Sequence, residues 1–170
     1  MSFPLSQLNQ KDRPEFTAVI GPVFENSPWI AEIVWLKKPF AAVGELYRAL
    51  CDVVCNASSE KQLSLIRAHP DLVGRAARAG TLTRESMNEQ AGAGLNKLSP
   101  EEVALFQTQN NAYQGKFGFP FVICARLNKK ESILAGFEKR LQNPRQQEIQ
   151  IALEEIFKIA EFRLRDLISE

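Results

Sequence analysis

Apolar positions recur at helical spacing along almost the whole chain, and the breaks between them carry helix caps rather than hairpin turns. An all-α protein follows from that pattern. Asp12 ahead of Arg13-Pro14 predicts a helix reaching Ile20, and Ser27 ahead of Pro28 predicts a second, with Trp29, Ile30, Ile33 and Val34 as its apolar stripe. Leu46, Leu50, Val53 and Val54 mark a third helix over about 43–56. Ser58 or Ser59 caps a fourth, which must stop at or before His69 because Pro70 disfavours helical geometry in the residue preceding it. Ser99-Pro100-Glu101-Glu102 has the form of a capping box with proline in the first turn, and Gly115 is a natural stop for the helix it opens. Ile133, Leu134, Phe137 and Leu141 define an amphipathic stretch over 130–141. Asn143-Pro144 then opens a long C-terminal helix to about residue 168, striped by Ile149, Leu153, Ile156, Ala160, Leu164 and Leu167.

One segment breaks the helical pattern. Lys116-Phe117-Gly118-Phe119-Pro120-Phe121-Val122-Ile123 places phenylalanine at every second position with glycine and proline between. Pro120 removes a donor from any strand ladder and no second strand is in sight, so the reading is an extended, buried, Phe-rich loop leading into residues 124–128. Buried extended backbone must bond something, and its N–H groups suit a ligand.

The chain has 170 residues, a length at which one compact domain can bury roughly 70% of its unfolded surface, so a single multi-helix domain over 1–170 is expected. No internal repeat or Pro/Ser-rich linker divides it. A formal net charge of +1 supplies no broad positive field, which argues against a nucleic-acid partner. No apolar run approaches a membrane span, and the opening MSFPLSQLNQKDRPEF lacks the features of a secretory signal. With three cysteines, Cys51, Cys55 and Cys124, in no pairing framework, and a final LISE that is no peroxisomal address, the expectation is a cytoplasmic protein with reduced thiols.

His69 is the only histidine. At a helix end it can serve simply as a favourable cation. The same helix end and a nearby carboxylate would also keep the ring protonated near neutral pH and make it a proton donor. One histidine with no clustered carboxylate or thiolate offers no metal-ligand spacing, so a catalytic metal is not expected, and no phosphate or dinucleotide fingerprint is present. If Thr83 caps a helix, Ser86 and Gln90 fall on one face with Glu89 beside them, gathering a hydroxyl, a carboxamide and a carboxylate; periodicity alone would leave that face in solvent. Arg163, flanked by Phe162 and Leu164 late in the final helix, could reach inward to a carboxylate, although pattern alone makes it a surface cation.

Taken together and in this order, Ala68-His69-Pro70-Asp71-Leu72, Ser86-Met87-Asn88-Glu89-Gln90-Ala91-Gly92 and Lys116-Phe117-Gly118-Phe119-Pro120-Phe121-Val122-Ile123 resemble the 2-oxo-4-hydroxy-4-carboxy-5-ureidoimidazoline (OHCU) decarboxylase family of urate degradation. The resemblance spans nearly the whole chain. It implies a cofactor-free carboxy-lyase that turns a small ureidoimidazoline into (S)-allantoin. It further implies His69 as general acid/base and Glu89 as its acidic companion. The substrate would be held by Pro70, by Ser86, Met87, Asn88, Glu89 and Gln90, by backbone groups of Phe121, Val122, Ile123, Cys124 and Ala125, and by Arg163. A homodimer is compatible with the long final helix, and so is a monomer. The alternative is a non-catalytic helical interaction module whose phenylalanine-rich loop is an exposed docking surface. A related ureide hydrolase would need a nucleophile or metal set, and the sequence displays neither.

Overall fold

Local capping chemistry sets several of the helix starts in the computed structural model, which describes residues 2–170. After α1 (Leu5–Leu8), α2 (Arg13–Ile20) is capped by Asp12, whose side chain accepts from the Glu15 amide at 2.9 Å. α3 (Trp29–Val34) begins behind Pro28 without the expected Ser27 cap; the Ser27 hydroxyl donates instead to the Glu25 carbonyl at 3.0 Å. α4 (Val43–Cys55) buries Leu46, Leu50, Val53 and Val54 as its periodicity predicts. α5 (Ser59–Ala68) is preceded by Ser58, whose hydroxyl accepts from the Lys61 amide at 3.3 Å, and it stops before His69.

α6 (Arg75–Ala79) has no counterpart in the predicted elements, because a helix of 5 residues is too short to display a period. α7 (Arg84–Gly92) is capped by Thr83, which accepts from the Ser86 amide at 3.3 Å. α8 (Pro100–Phe117) opens with the reciprocal Ser99/Glu102 capping box, at 2.9 and 3.2 Å. It also runs past Gly115. The stop is Gly118, with φ at 79°, and the extra turn lets Phe117 reach the Tyr113 ring, centroids 4.6 Å apart. α9 (Lys130–Arg140) and the long α10 (Arg145–Leu167) complete the helices. Among the described residues the only strands are β1 (Phe3–Pro4) and β2 (Ile168–Ser169), paired in parallel, so the all-α expectation with a long C-terminal helix holds.

The chain divides into two compact units: residues up to Ala68 together with Phe157–Glu170, and residues His69–Ile156. In the first, Leu8, Phe16, Ile30, Leu46, Leu50 and Leu65 from α1 to α5 are fully buried. The second centres on aromatic rings. Phe121 stacks on Phe137 at 3.9 Å, and Tyr113 meets Phe121 nearly edge-on at 5.2 Å. No helix of the described residues is long and apolar enough to cross a membrane.

The shifted end of α8 is testable by a pair of variants. Gly118→Ala forces an L side chain into left-handed backbone and should cost about 1 kcal/mol. Gly115→Ala, which meets nothing within 4 Å inside the helix, should gain a comparable amount, about 0.5–1 kcal/mol. Urea unfolding of the two reads the opposite signs.

Candidate active site

His69 follows directly on the last residue of α5 and is only 7% exposed. The loop after it is held by side-chain amides, because its backbone is neither helix nor strand and is largely buried. The Gln90 carboxamide accepts from the Val73 N–H at 3.0 Å and donates to the Asp71 carbonyl at 3.4 Å. Asn110 donates to the Leu72 carbonyl at 2.8 Å, and Gln114 to the Asp71 carboxylate at 2.7 Å. Val73 sits at φ 55°, a left-handed conformation that a β-branched residue rarely adopts, at a cost of about 1–3 kcal/mol. Gly74 is sterically required, since a Cβ there would lie 2.5 Å from that of Asp71.

The polar face of α7 is turned inward. Ser86, Glu89 and Gln90 are 5%, 8% and 6% exposed, while Met87 and Asn88 lie outside. The solvent-exposed reading of that face is therefore corrected: three polar residues spaced i, i+3, i+4 form a buried stripe where apolar residues would ordinarily lie. A short 3-10 turn, Ala125–Leu127, packs against α7 and carries Arg126, whose Nε is 3.9 Å from Glu89 Oε1. Lys129 Nζ donates to the Gly92 carbonyl at the end of the same helix, at 3.2 Å.

From Gly118 on the Phe-rich segment is irregular and largely buried, as its composition predicts, whereas Lys116 and Phe117, expected in the same loop, form the last turn of α8. Phe117, Phe119 and Phe121 are at most 2% exposed, which removes the basis for the exposed docking surface of the interaction-module alternative. Some of the backbone groups expected to await a ligand are already engaged. The Val122 carbonyl accepts from Arg140 Nη1 at 2.6 Å, and the Cys124 N–H donates to Glu155 Oε2 at 2.7 Å. The Cys124 carbonyl accepts from Leu127 N and Asn128 Nδ2 at 3.1 and 2.9 Å. Burial pushes the Cys124 thiol above its ordinary pKa, so it stays neutral near pH 7.

Pro70, half-buried, forms the first residue of the clamped loop. Gln90 thus links the His69 loop to α7, and the Ala125–Leu127 turn links the segment 121–125 to the same helix, so the three sequence motifs converge on α7. Arg163 belongs to the first unit, and the surface-cation reading is corrected for it: it is 5% exposed, with Nη1 2.9 Å from Glu25 Oε2 and 3.3 Å from the Pro22 carbonyl.

Sequence reasoning missed a second set of buried charges. Arg140 Nε is 2.8 Å from Glu148 Oε2, Asn143 donates to Glu148 Oε1 at 2.7 Å, and the Tyr113 hydroxyl bonds the same carboxylate. Burial pushes the Tyr113 phenol far above its usual range, with Arg140 offsetting part of the effect. A signal was present: Arg140 continues the Ile133–Phe137 stripe, Glu148 leads the Ala152–Ile156 stripe, and Arg163 follows Ile156 and Ala160 at +7 and +3. A charged residue in register with an apolar stripe points inward with its neighbours.

Asn110→Ala should destabilise the protein by about 1–3 kcal/mol, because it leaves the buried Leu72 carbonyl without its donor. Urea denaturation measures this. Gln107→Ala, one turn away on α8, should change stability by less than about 0.5 kcal/mol.

A profile of the family described as OHCU decarboxylase matches residues 9–165. A 2-oxo-4-hydroxy-4-carboxy-5-ureidoimidazoline decarboxylase of Halalkalicoccus jeotgali is 41% identical over 163 residues, covering 96% of this chain and 90% of its own length. The enzyme of the same name from Amia calva is 41% identical over 165 residues, 97% of this chain and 94% of its own. Among solved structures, an (S)-allantoin synthase superposes with a TM-score of 0.79 at 28% identity, covering 98% of this chain, which spans 54% of that longer one. On the match of the family profile and of relatives along nearly their full length, the chain belongs to the OHCU decarboxylase family of carboxy-lyases.

Proposed function

We propose that this protein decarboxylates OHCU to (S)-allantoin in urate degradation, without a cofactor, using His69 as the proton donor and Glu89 as its acidic companion. The observation that carries the reading is the inward polar face of α7, with Ser86, Glu89 and Gln90 buried and Gln90 bonded to the loop that His69 opens. Burying three polar side chains on one helix face is costly unless each has a use.

The substrate carries its own electron sink. Its carbon 4 bears both hydroxyl and carboxylate and adjoins a ring C=N. When the bond to the carboxylate breaks, the electron pair moves into that C=N and CO₂ leaves. The nitrogen of that C=N takes up a proton, the hydroxyl gives up its own as the ring carbonyl forms, and the carbon bearing the ureido group takes one up. Delivery of that last proton from one face yields one enantiomer, and that is the task assigned to a protonated His69. Its position at a helix end and an acidic companion both favour the charged ring. Ser86 and Gln90, with Met87 and Asn88 at the rim of α7, would bind the ureido and ring polar groups. Pro70 would form part of the wall, and the segment Phe121–Ala125 would meet the imidazoline edge.

Mixing the protein with freshly generated OHCU and following product circular dichroism tests the activity, because the spontaneous reaction gives a racemate. A trace matching the uncatalysed control would sink the assignment. His69→Asn should abolish turnover while (S)-allantoin still binds, as measured by calorimetry; a variant that fails to fold would instead favour a structural histidine. Glu89→Gln should lower kcat by about 10²-fold or more with a smaller change in product affinity, the size expected of a group in acid–base catalysis. The rate should fall as pH rises through the titration of His69, since the protonated ring is the donor; a rate that climbs instead would contradict the assigned role.

A further inference from the structure

Two charged residues outside the expected site, Arg140 and Glu155, act on consecutive peptide units of the segment 121–125. Arg140 donates to the Val122 carbonyl at 2.6 Å. That carbonyl shares a peptide unit with the Ile123 N–H. Glu155 accepts from the Cys124 N–H at 2.7 Å, and that N–H shares the next unit with the Ile123 carbonyl. Both peptides are trans, so in each the carbonyl and the N–H point in opposite directions. The Ile123 N–H therefore points away from the Val122 carbonyl that Arg140 holds, and the Ile123 carbonyl points away from the Cys124 N–H that Glu155 holds. Neither has a protein partner among the described residues, although Ile123 is half-buried and both of its neighbours are buried.

The electrostatics reinforce the geometry. A cation on a peptide carbonyl withdraws electron density and makes the N–H of that unit a better donor; an anion on a peptide N–H makes the carbonyl of its unit a better acceptor. Ile123 thus presents a strengthened donor beside a strengthened acceptor. Arg140 is fixed in its place by Glu148 at 2.8 Å and lies over the Phe121 ring, 4.3 Å from its centroid, so its fork cannot turn from Val122 without weakening its ion pair with a buried carboxylate.

We propose that Arg140 and Glu155 are positioning residues that fix and polarise the Ile123 backbone to pair with an adjacent N–H and C=O of a ring amide in the ligand. This rests on the decarboxylase reading above, whose substrate and product both carry such a group. Neither residue touches the ligand; each acts through one peptide bond.

The test compares Glu155→Gln, which keeps an acceptor but loses the charge, with Glu155→Leu, which loses both, and adds Arg140→Lys, which keeps the charge toward Glu148 but loses the planar fork. For variants whose Tm shows them folded, KM for OHCU and Kd for (S)-allantoin should rise about tenfold in Glu155→Leu and about threefold in Glu155→Gln, the scale of one weakened hydrogen bond, while kcat changes less than KM. Arg140→Lys should shift affinity in the same direction. In ¹⁵N-labelled protein, the Ile123 amide should move strongly on adding (S)-allantoin to the wild type, and less in Glu155→Leu. A folded Glu155→Leu with wild-type KM, Kd and Ile123 response would overturn the proposal, as would equal losses in the Gln and Leu variants confined to kcat. Failure of the wild type itself to turn over OHCU or bind (S)-allantoin would defeat the functional reading and, with it, the ligand assigned to Ile123.

Discussion

The Gln90 carboxamide holds the loop behind His69 by its backbone, taking a hydrogen bond from the Val73 N–H and giving one to the Asp71 carbonyl. A loop that is buried but not helical cannot satisfy its own amides, so a side chain must do so, and this one belongs to the helix that also carries Ser86 and Glu89. The same bonds therefore close the loop and set it against the polar face of α7. Val73 is held in strained backbone within that loop, which persists only because Gln90, Asn110 and Gln114 over-determine it.

The segment 121–125 obeys the same constraint with stronger partners. Where the His69 loop is held by neutral amides, this one is held by a guanidinium and a carboxylate, and charge-assisted bonds resist displacement more. The Arg140–Glu148 pair is not economical as a source of stability, because hydrophobic residues of similar volume often serve as well. Removing one partner is another matter, at about 3–5 kcal/mol for an uncompensated buried charge. Its justification lies in where the free arm of Arg140 points, at a peptide carbonyl in irregular backbone beside the candidate site. Arg163 and Glu25 form a comparable buried pair in the first unit.

A reaction whose substrate supplies its own electron sink asks little of a protein beyond orientation, dryness and one well-placed proton. The helices supply the scaffold, and the two irregular segments supply geometry that helices cannot. Irregular backbone is also what leaves the N–H and carbonyl of Ile123 without a protein partner among the described residues.

Helix starts were legible in the sequence because capping is local: Asp12, Ser58, Thr83 and the Ser99/Glu102 box each bond amides within three residues of themselves, and the chain needs no distant partner to form them. The same locality explains why the chain from Gly118 to Ile123 was legible as irregular, since proline and glycine act on their own backbone, while the two residues before it joined α8. The family was legible too, through three short motifs taken together. What remained hidden was inward direction. Ser86 and Glu89 look like surface residues until Gln90 meets the loop 17 positions away, and the apolar register of Arg140 and Arg163 marks them as inward without naming Glu148 and Glu25, 8 and 138 positions away. Gly115 looked like a stop, but the Tyr113–Phe117 contact holds another turn in place. Burial of a polar group is a bargain between groups far apart in sequence, so only the tertiary structure could decide which partners meet inside and which backbone groups are left without one.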